Sequence, residues 1–165
     1  MAPSDMAPTD TGAPEPTGPV LFAFDGSELA ESAIKVAARQ LATGRDAVVL
    51  CVWQPVDVGF VPINDRHFDA DRAPEVRKAA EETAAYGASL AAAAGFRTRS
   101  VAVEAAPTWE GIVDTAAEHH ASLIVVGSHR RAGLTGHLHG NVAAAVIAHA
   151  TFSVLVVHPQ PEQEV

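Results

Sequence analysis

The residues best equipped for chemistry lie in the stretch VVGSHRRAGLTGHLHGNVAAAV, residues 125–146. An apolar run ends at Gly127, and a polar loop follows with His129, Arg130, Arg131, His137 and His139. Gly140 and Asn141 then open an alanine-rich segment of helical character. Gly127 permits a sharp turn off a strand and a close approach of main chain to a ligand. Gly140 and Asn141 fall at a helix start, where free N–H groups and the helix dipole favour an anion. The Asn141 side chain can also cap that helix. Arginines supply bidentate, charge-assisted hydrogen bonds to phosphate. The same composition also suits a plain strand-to-helix connection with its charges in solvent, and loop glycines alone do not separate the two readings. A zinc site needs three or four converging ligands. No Cys or closely placed Glu completes the three loop histidines, so no metal site is expected.

A second chemical group stands near the start of the chain, in the run VLFAFDGS. The Asp25 carboxylate can accept hydrogen bonds from ribose hydroxyls or from an adenine amino group. By itself it is equally a turn-forming or helix-capping acid, so its functional reading depends on the loop at Gly127. Both groups follow apolar runs, and two such turns become neighbours where a parallel sheet reverses its strand order.

The elements that must position these residues are legible from period and punctuation. Residues 19–24, 46–55, 122–127 and 152–159 are short apolar runs predicted as buried strands; residues 96–105 alternate more clearly and predict a strand near an edge. Between them, Ala30, Ala33, Ile34, Ala37, Ala38 and Leu41 recur at helical spacing, with Ser27 as N-cap and Gly44 as stop. A second helix runs from about Pro74 to Ala94, its apolar side formed by Val76, Ala80, Thr83, Gly87, Leu90 and Ala94, and Gly95 ends it. A third opens with Pro107 in its first turn and groups Trp109, Ile112, Val113 and Ala116. The fourth begins at Asn141. Strand and helix alternate four times before a last strand, which predicts an α/β domain with a parallel sheet covered on both faces. Residues 55–74 follow neither period; a segment of that length is expected to be a lid, a partner surface or a partly ordered connection.

Composition narrows the function classes. The 165 residues suffice for one domain, and 48% hydrophobic content excludes a wholly disordered chain. Residues 1–19, rich in Pro, Ala, Thr and acid, are expected to be a disordered tail before a domain at 20–159, with 160–165 a short C-terminal tail. A formal net charge of −9 argues against a nucleic-acid or anionic-membrane surface. No apolar run approaches the roughly 18 residues that span a bilayer, and the N-terminus lacks a secretory pattern. The single cysteine, Cys51, excludes an intrachain disulfide and is expected in the core. Together these predict a cytoplasmic protein without nucleic-acid or membrane partners. Trp53 and Trp109 are expected as core or interface anchors. No Walker A lysine, nucleophile elbow or HExxH helix is present, so no catalytic residue is named.

Several separated motifs, VLFAFDGSELAESAIKVAARQLA, the AAP before the third helix and ASLIVVGSHRRAGLTGHLHGNVAAAVIAHATFSVLVVHP, together resemble a universal stress protein domain from about Val20 to Pro159. The resemblance implies an open five-stranded parallel sheet in the order 3-2-1-4-5, Rossmann-like, with helices on both faces. It also implies a homodimer through the last strand, Phe152 to His158. One branch of the family binds ATP through Gly, two residues, Gly, nine residues, Gly and then Ser, Thr or Asn. On this chain the pattern falls on Gly127, residue 130, Gly140 and Asn141, with Arg130 in place of the second glycine. The implied nucleotide-binding set is Ala23, Phe24, Asp25, Val52, Val126, Gly127, His129, Arg130, Gly140, Asn141, Val142 and Ala143. The ligand would be ATP, AMP or cyclic AMP, with Mg as the companion ion, and the protein a stress-response sensor or reservoir with at most weak incidental ATP hydrolysis. Arg130 leaves two readings open. It either clamps phosphate or fills the phosphate space, in which case the domain serves as a protein-interaction module.

Overall fold

A computed structural model of the chain describes residues 17–54, 73–128 and 142–159. Along the chain run β1 (Val20–Ala23), α1 (Glu28–Gln40), β2 (Asp46–Trp53), α2 (Ala73–Ala93), β3 (Arg97–Glu104), α3 (Thr108–Glu118), β4 (Leu123–Gly127), α4 (Val142–His149) and β5 (Ser153–Val157). The strands form one parallel sheet in the order β3-β2-β1-β4-β5. This is the α/β, Rossmann-like arrangement expected, with the order reversing between β1 and β4.

The central strands are continuous apolar runs because both of their faces are covered. Leu21 lies opposite Val48 on one side and Ile124 on the other, and all three are fully buried. Period two then sorts the side chains. Val20, Phe22, Phe24, Val49 and Val125 pack with Ala30, Ala33, Ile34 and Ala37 of α1 and Ala91 of α2. Leu21, Val48, Leu50 and Ile124 pack on the opposite face with Ile112 and Ala116 of α3 and Val146 of α4. Fully burying one such side chain stabilises by about 1.5–3 kcal/mol.

Small residues set how closely the helices approach. The buried stripe of α2 is Ala80, Ala84, Gly87 and Ala91, one position off the sequence-predicted Thr83 and Leu90, which flank it half-buried. A Cβ on Gly87 would sit 2.7 Å from the Phe24 ring, so glycine is what lets the helix pack directly against that ring. Helix α1 starts as expected, with Ser27 Oγ accepting from the Ala30 N–H at 3.2 Å. It ends at the Leu41 cap, before Gly44, which takes φ +77° in the turn beyond. Pro107, expected within the first turn of α3, is its N-cap residue, and the Ala106–Pro107 bond is cis.

The two edges of the sheet differ. Edge strand β3 exposes Arg97, Arg99, Ser100 and Glu104, with Arg97 paired to Asp46 of β2 at 2.7 Å. Edge strand β5 carries Val154, Leu155 and Val156 in a row, all half-buried. At the amino end of the sheet, Ser122 Oγ donates to the Gly18 carbonyl at 2.8 Å and accepts from Arg45 at 2.7 Å, which ties the entry of β1 to β4.

Candidate functional site

The carboxyl ends of β2, β1 and β4 meet beneath the first turns of α1, α3 and α4. At β1 the chain stays in the sheet one residue past the strand, the Phe24 N–H donating to the Leu50 carbonyl at 2.8 Å. The Phe24 ring is committed to the core against Gly87 and Tyr86. Asp25 then leaves the sheet. One of its carboxylate oxygens, Oδ1, accepts from the Ser27 N–H at 3.0 Å, and Gly26 takes φ +80° to complete the turn. The Asp25 side chain is exposed at the crest of β1. This local bond is the turn-forming role expected of such an acid, and it leaves the second oxygen clear of Ser27.

At β4 the structure adds a packing reason for glycine that the sequence did not show. The φ of Gly127 lies outside the left-handed region, so no special turn demands it. Instead, a Cβ there would meet Leu29 Cγ at 2.8 Å and Leu29 Cδ2 at 3.2 Å. The first turn of α1 therefore seats itself on the end of β4. Beyond Gly127, the Ser128 N–H donates to the Val157 carbonyl at 2.8 Å and continues the sheet toward β5.

The third wall is α3. A Cβ on Gly111 would lie 2.7 Å from Ala105 Cβ and 3.1 Å from Val52 Cγ1, so a bare helix surface closes down on β2. Gln54, just past β2, donates from Nε2 to Thr108 Oγ1 at 3.4 Å and joins strand end to helix start.

These elements enclose a cleft with a cavity volume of about 130 Å³. Of the residues singled out in the sequence, Ala23, Phe24, Asp25, Val52, Val126, Gly127 and Val142 line it. Ala143 is buried within α4 and does not line the cleft. His129, Arg130, Gly140 and Asn141 lie outside the described residues, as do Arg131, His137 and His139 and the whole of 55–72. Six lining residues were not foreseen: Ser27, Leu29, Ala30, Leu50, Thr108 and Ile112. Leu50 shares a strand face with Val52 two positions on, so period two could have found it. The others reach the cleft only through tertiary packing.

The lining is mostly aliphatic, with Asp25, Ser27 and Thr108 as its side-chain polar groups. Such a slot accepts a flat apolar group and places hydroxyls or a carboxylate at its rim. Among the described residues, Asp25 is the one titratable group lining it. Trp109 is not part of the wall; its ring is stacked on His149 at 4.0 Å. Cys51 and Trp53 are buried in the core, as expected. No group of three His, Cys, Asp or Glu able to hold a metal occurs among the described residues. No helix among them is long and apolar enough to cross a membrane.

Comparison with known proteins matches a model of the Universal stress protein family to residues 17–158. A universal stress protein of Mycolicibacterium smegmatis is 34% identical over 151 residues, a match covering 86% of this chain and 46% of the relative. The chain thus spans about half the length of the curated relatives it matches. Among solved structures, a universal stress protein in complex with cAMP superposes with a TM-score of 0.59 at 23% identity, covering 86% of this chain and 97% of that one. One from Archaeoglobus fulgidus in complex with dAMP gives 0.53 at 24% identity, covering 84% and 96%. At these identities the structures speak to the fold.

Proposed function

The chain belongs to the universal stress protein family, and we propose that it binds an adenine nucleotide in the cleft at the carboxyl ends of β2, β1 and β4. One observation carries this reading: an aliphatic slot and a carboxylate are set side by side at the point where strand order reverses. The base lies over β2, against Leu50, Val52 and Ile112. The ribose hydroxyls meet the Asp25 carboxylate. The phosphate falls at β4 and the first turn of α4, where the N–H groups of Val142 and Ala143 and the residues His129, Arg130, Gly140 and Asn141 hold it. Related proteins captured with cAMP and dAMP support the adenine preference. ATP, AMP and cyclic AMP are the candidate ligands, with Mg accompanying the triphosphate. The protein acts in the cytoplasm as a sensor or reservoir, with at most weak incidental ATP hydrolysis. It does so as a homodimer through β5 and its flanks, Phe152 to His158, a reading supported by the apolar character of that edge and by Ile147 of α4, 56% exposed.

A specific observation favours a second reading. A Cβ on Gly127 would clash with Leu29 whether or not a ligand is bound, and Arg130 occupies the second glycine position of the family pattern. On that reading the phosphate path is filled and the domain is a protein-interaction module. Calorimetric titration of the dialysed protein with ATP, AMP and cyclic AMP, beside an Arg130→Gly variant, separates the two. Saturable binding to the natural sequence supports the nucleotide reading. Silence in the natural chain with binding in Arg130→Gly supports the module.

A further inference from the structure

We propose that the arginine-lined cavity at the amino end of β2 and β3 is a docking surface for an acidic segment of the same chain, residues 1–16, with Glu15 as the carboxylate that enters it. The cavity, of about 380 Å³, is lined by Pro19, Asp46, Ala47, Arg97, Thr98 and Arg99. It lies at the opposite end of the sheet from the cleft described above. Asp46 is the one acid among its lining residues, and Arg97 meets it through Nε at 2.7 Å. The outer edge of the same guanidinium, Nη1 and Nη2, keeps donors for a second carboxylate. Arg99 is held in place by donation from Nη2 to His119 Nδ1 at 2.9 Å, which leaves its Nε and Nη1 donors.

The course of the chain identifies the occupant. Gly18 is pressed so closely on the turn between α3 and β4 that a Cβ there would overlap the His120 carbonyl oxygen. Its own carbonyl accepts from Arg45 at 3.3 Å and from Ser122 Oγ at 2.8 Å. The segment before Gly18 therefore departs beside Arg45 and the turn that carries His119. The pairings Val20–Ala47 and Asp46–Arg97 set Pro19 level with Arg97, two strand spacings or about 10 Å away. Glu15 stands four residues before Pro19, and four extended residues span about 13 Å, so its carboxylate reaches the arginines. Residues 1–16 carry Asp5, Asp10 and Glu15 and no Lys, Arg or His. Pro16 restricts Glu15 to extended backbone, which lowers the cost of ordering it. Magnitude decides between this occupant and a free acid. An exposed ion pair is weak between separate molecules, yet a tether this short supplies an effective concentration in the millimolar range.

The test is NMR of the full chain, read at the Glu15 amide and at the Nε–H groups of Arg97 and Arg99. At low salt the Glu15 amide is expected to have an order parameter above about 0.6, the upper limit of flexible backbone. It should fall below that limit in the Arg97→Gln/Arg99→Gln double variant, and also in about 1 M NaCl, where screening reaches down to about 3 Å. Glu15→Gln leaves every described contact of the domain intact and should move the two Nε–H resonances at low salt toward their high-salt positions. Inorganic phosphate serves as the competing anion, and it should shift these resonances at severalfold lower concentration in Glu15→Gln than in the natural chain. Arginine resonances unchanged by Glu15→Gln, or a Glu15 order parameter indifferent to the loss of both arginines, overturns the proposal. An equal response of the two chains to phosphate assigns the cavity to free anions and overturns it as well.

Discussion

The contact between Gly127 and Leu29 yields a prediction with a magnitude. Placing a methyl group on Gly127 puts a carbon 2.8 Å from Leu29 Cγ, where ordinary contact begins near 3.4 Å, so about 0.6 Å of retreat is required. Cγ is the branch point of the side chain, close to its own backbone, and Leu29 is 8% exposed, so it has little room to turn aside. Overpacking of this kind costs about 1–3 kcal/mol, which for a domain of this size lowers Tm by roughly 2–4 °C per kcal/mol. Leu29→Ala alone should cost about 2–4 kcal/mol, since it opens a cavity. In the double variant the added methyl fills part of the space that Leu29 vacates, so the two losses should not add; a coupling of about 1 kcal/mol or more is expected for residues in contact. Urea unfolding of the four proteins, without nucleotide, measures it. Additive losses, or a Gly127→Ala variant as stable as the natural chain, would show that packing against α1 is not why glycine stands there, and would leave close approach of a ligand as the reason.

Further expectations concern other parts of the molecule. Ser122→Ala removes the bridge between Arg45 and the Gly18 carbonyl; thermal unfolding should report a loss of about 1–2 kcal/mol, and no loss would mean that the β1 entry is held by the sheet alone. The Arg97 guanidinium beside Asp46 holds that carboxyl below the usual carboxylate range. The stabilisation is therefore present above the unfolded value near pH 4 and is lost as pH falls through the folded one; carboxyl NMR should show the Asp46 midpoint returning upward in Arg97→Ala. The chain's single tyrosine, Tyr86, donates to Glu31 at 3.0 Å, and that hydrogen bond raises its pKa. Its contribution persists below about pH 10 and disappears as pH rises through the folded value. Phenolate absorbance should titrate at lower pH in Glu31→Gln. Val156→Lys places a charge on the β5 edge and should convert a dimer to monomer in sedimentation; an intact dimer would refute pairing through β5.

Period and punctuation were sufficient to read the alternation of strands and helices. Val48, Val49 and Leu50, or Ile124, Val125 and Val126, admit little besides a strand buried on both faces, and Ser27 before Glu28 marks a helix start whose cap bond forms. The strand order was not in the periodicity; it entered through the resemblance, because nothing local to β1 says whether β2 and β4 flank it. The cleft divides in the same way. Asp25 and Gly127 stand at strand ends and announce themselves by type. Leu29, Thr108 and Ile112 do not, since a leucine and an isoleucine on amphipathic helices look like any core residues. They become wall residues only once Gly127 admits α1 and Gly111 admits α3. The packing role of Gly127 was hidden for that reason: sequence presents a loop glycine, and only the packed structure presents Leu29.

The unlike edges of the sheet set a limit on how far it can grow. At β3, Arg97, Arg99, Ser100 and Glu104 surround the free main-chain groups with charge and hydroxyls, and an incoming strand would have to desolvate them. Among the described residues, no comparable barrier stands at β5 beside Val154, Leu155 and Val156. Extension is thus directional. If two copies meet at β5 about a two-fold axis, each consumes the other's open edge, and the joined sheet ends in β3 on both sides. In such a pair the same asymmetry would stop the series at two, and a substitution that stripped Arg97 and Arg99 from β3 would turn a closed pair into a chain-forming unit.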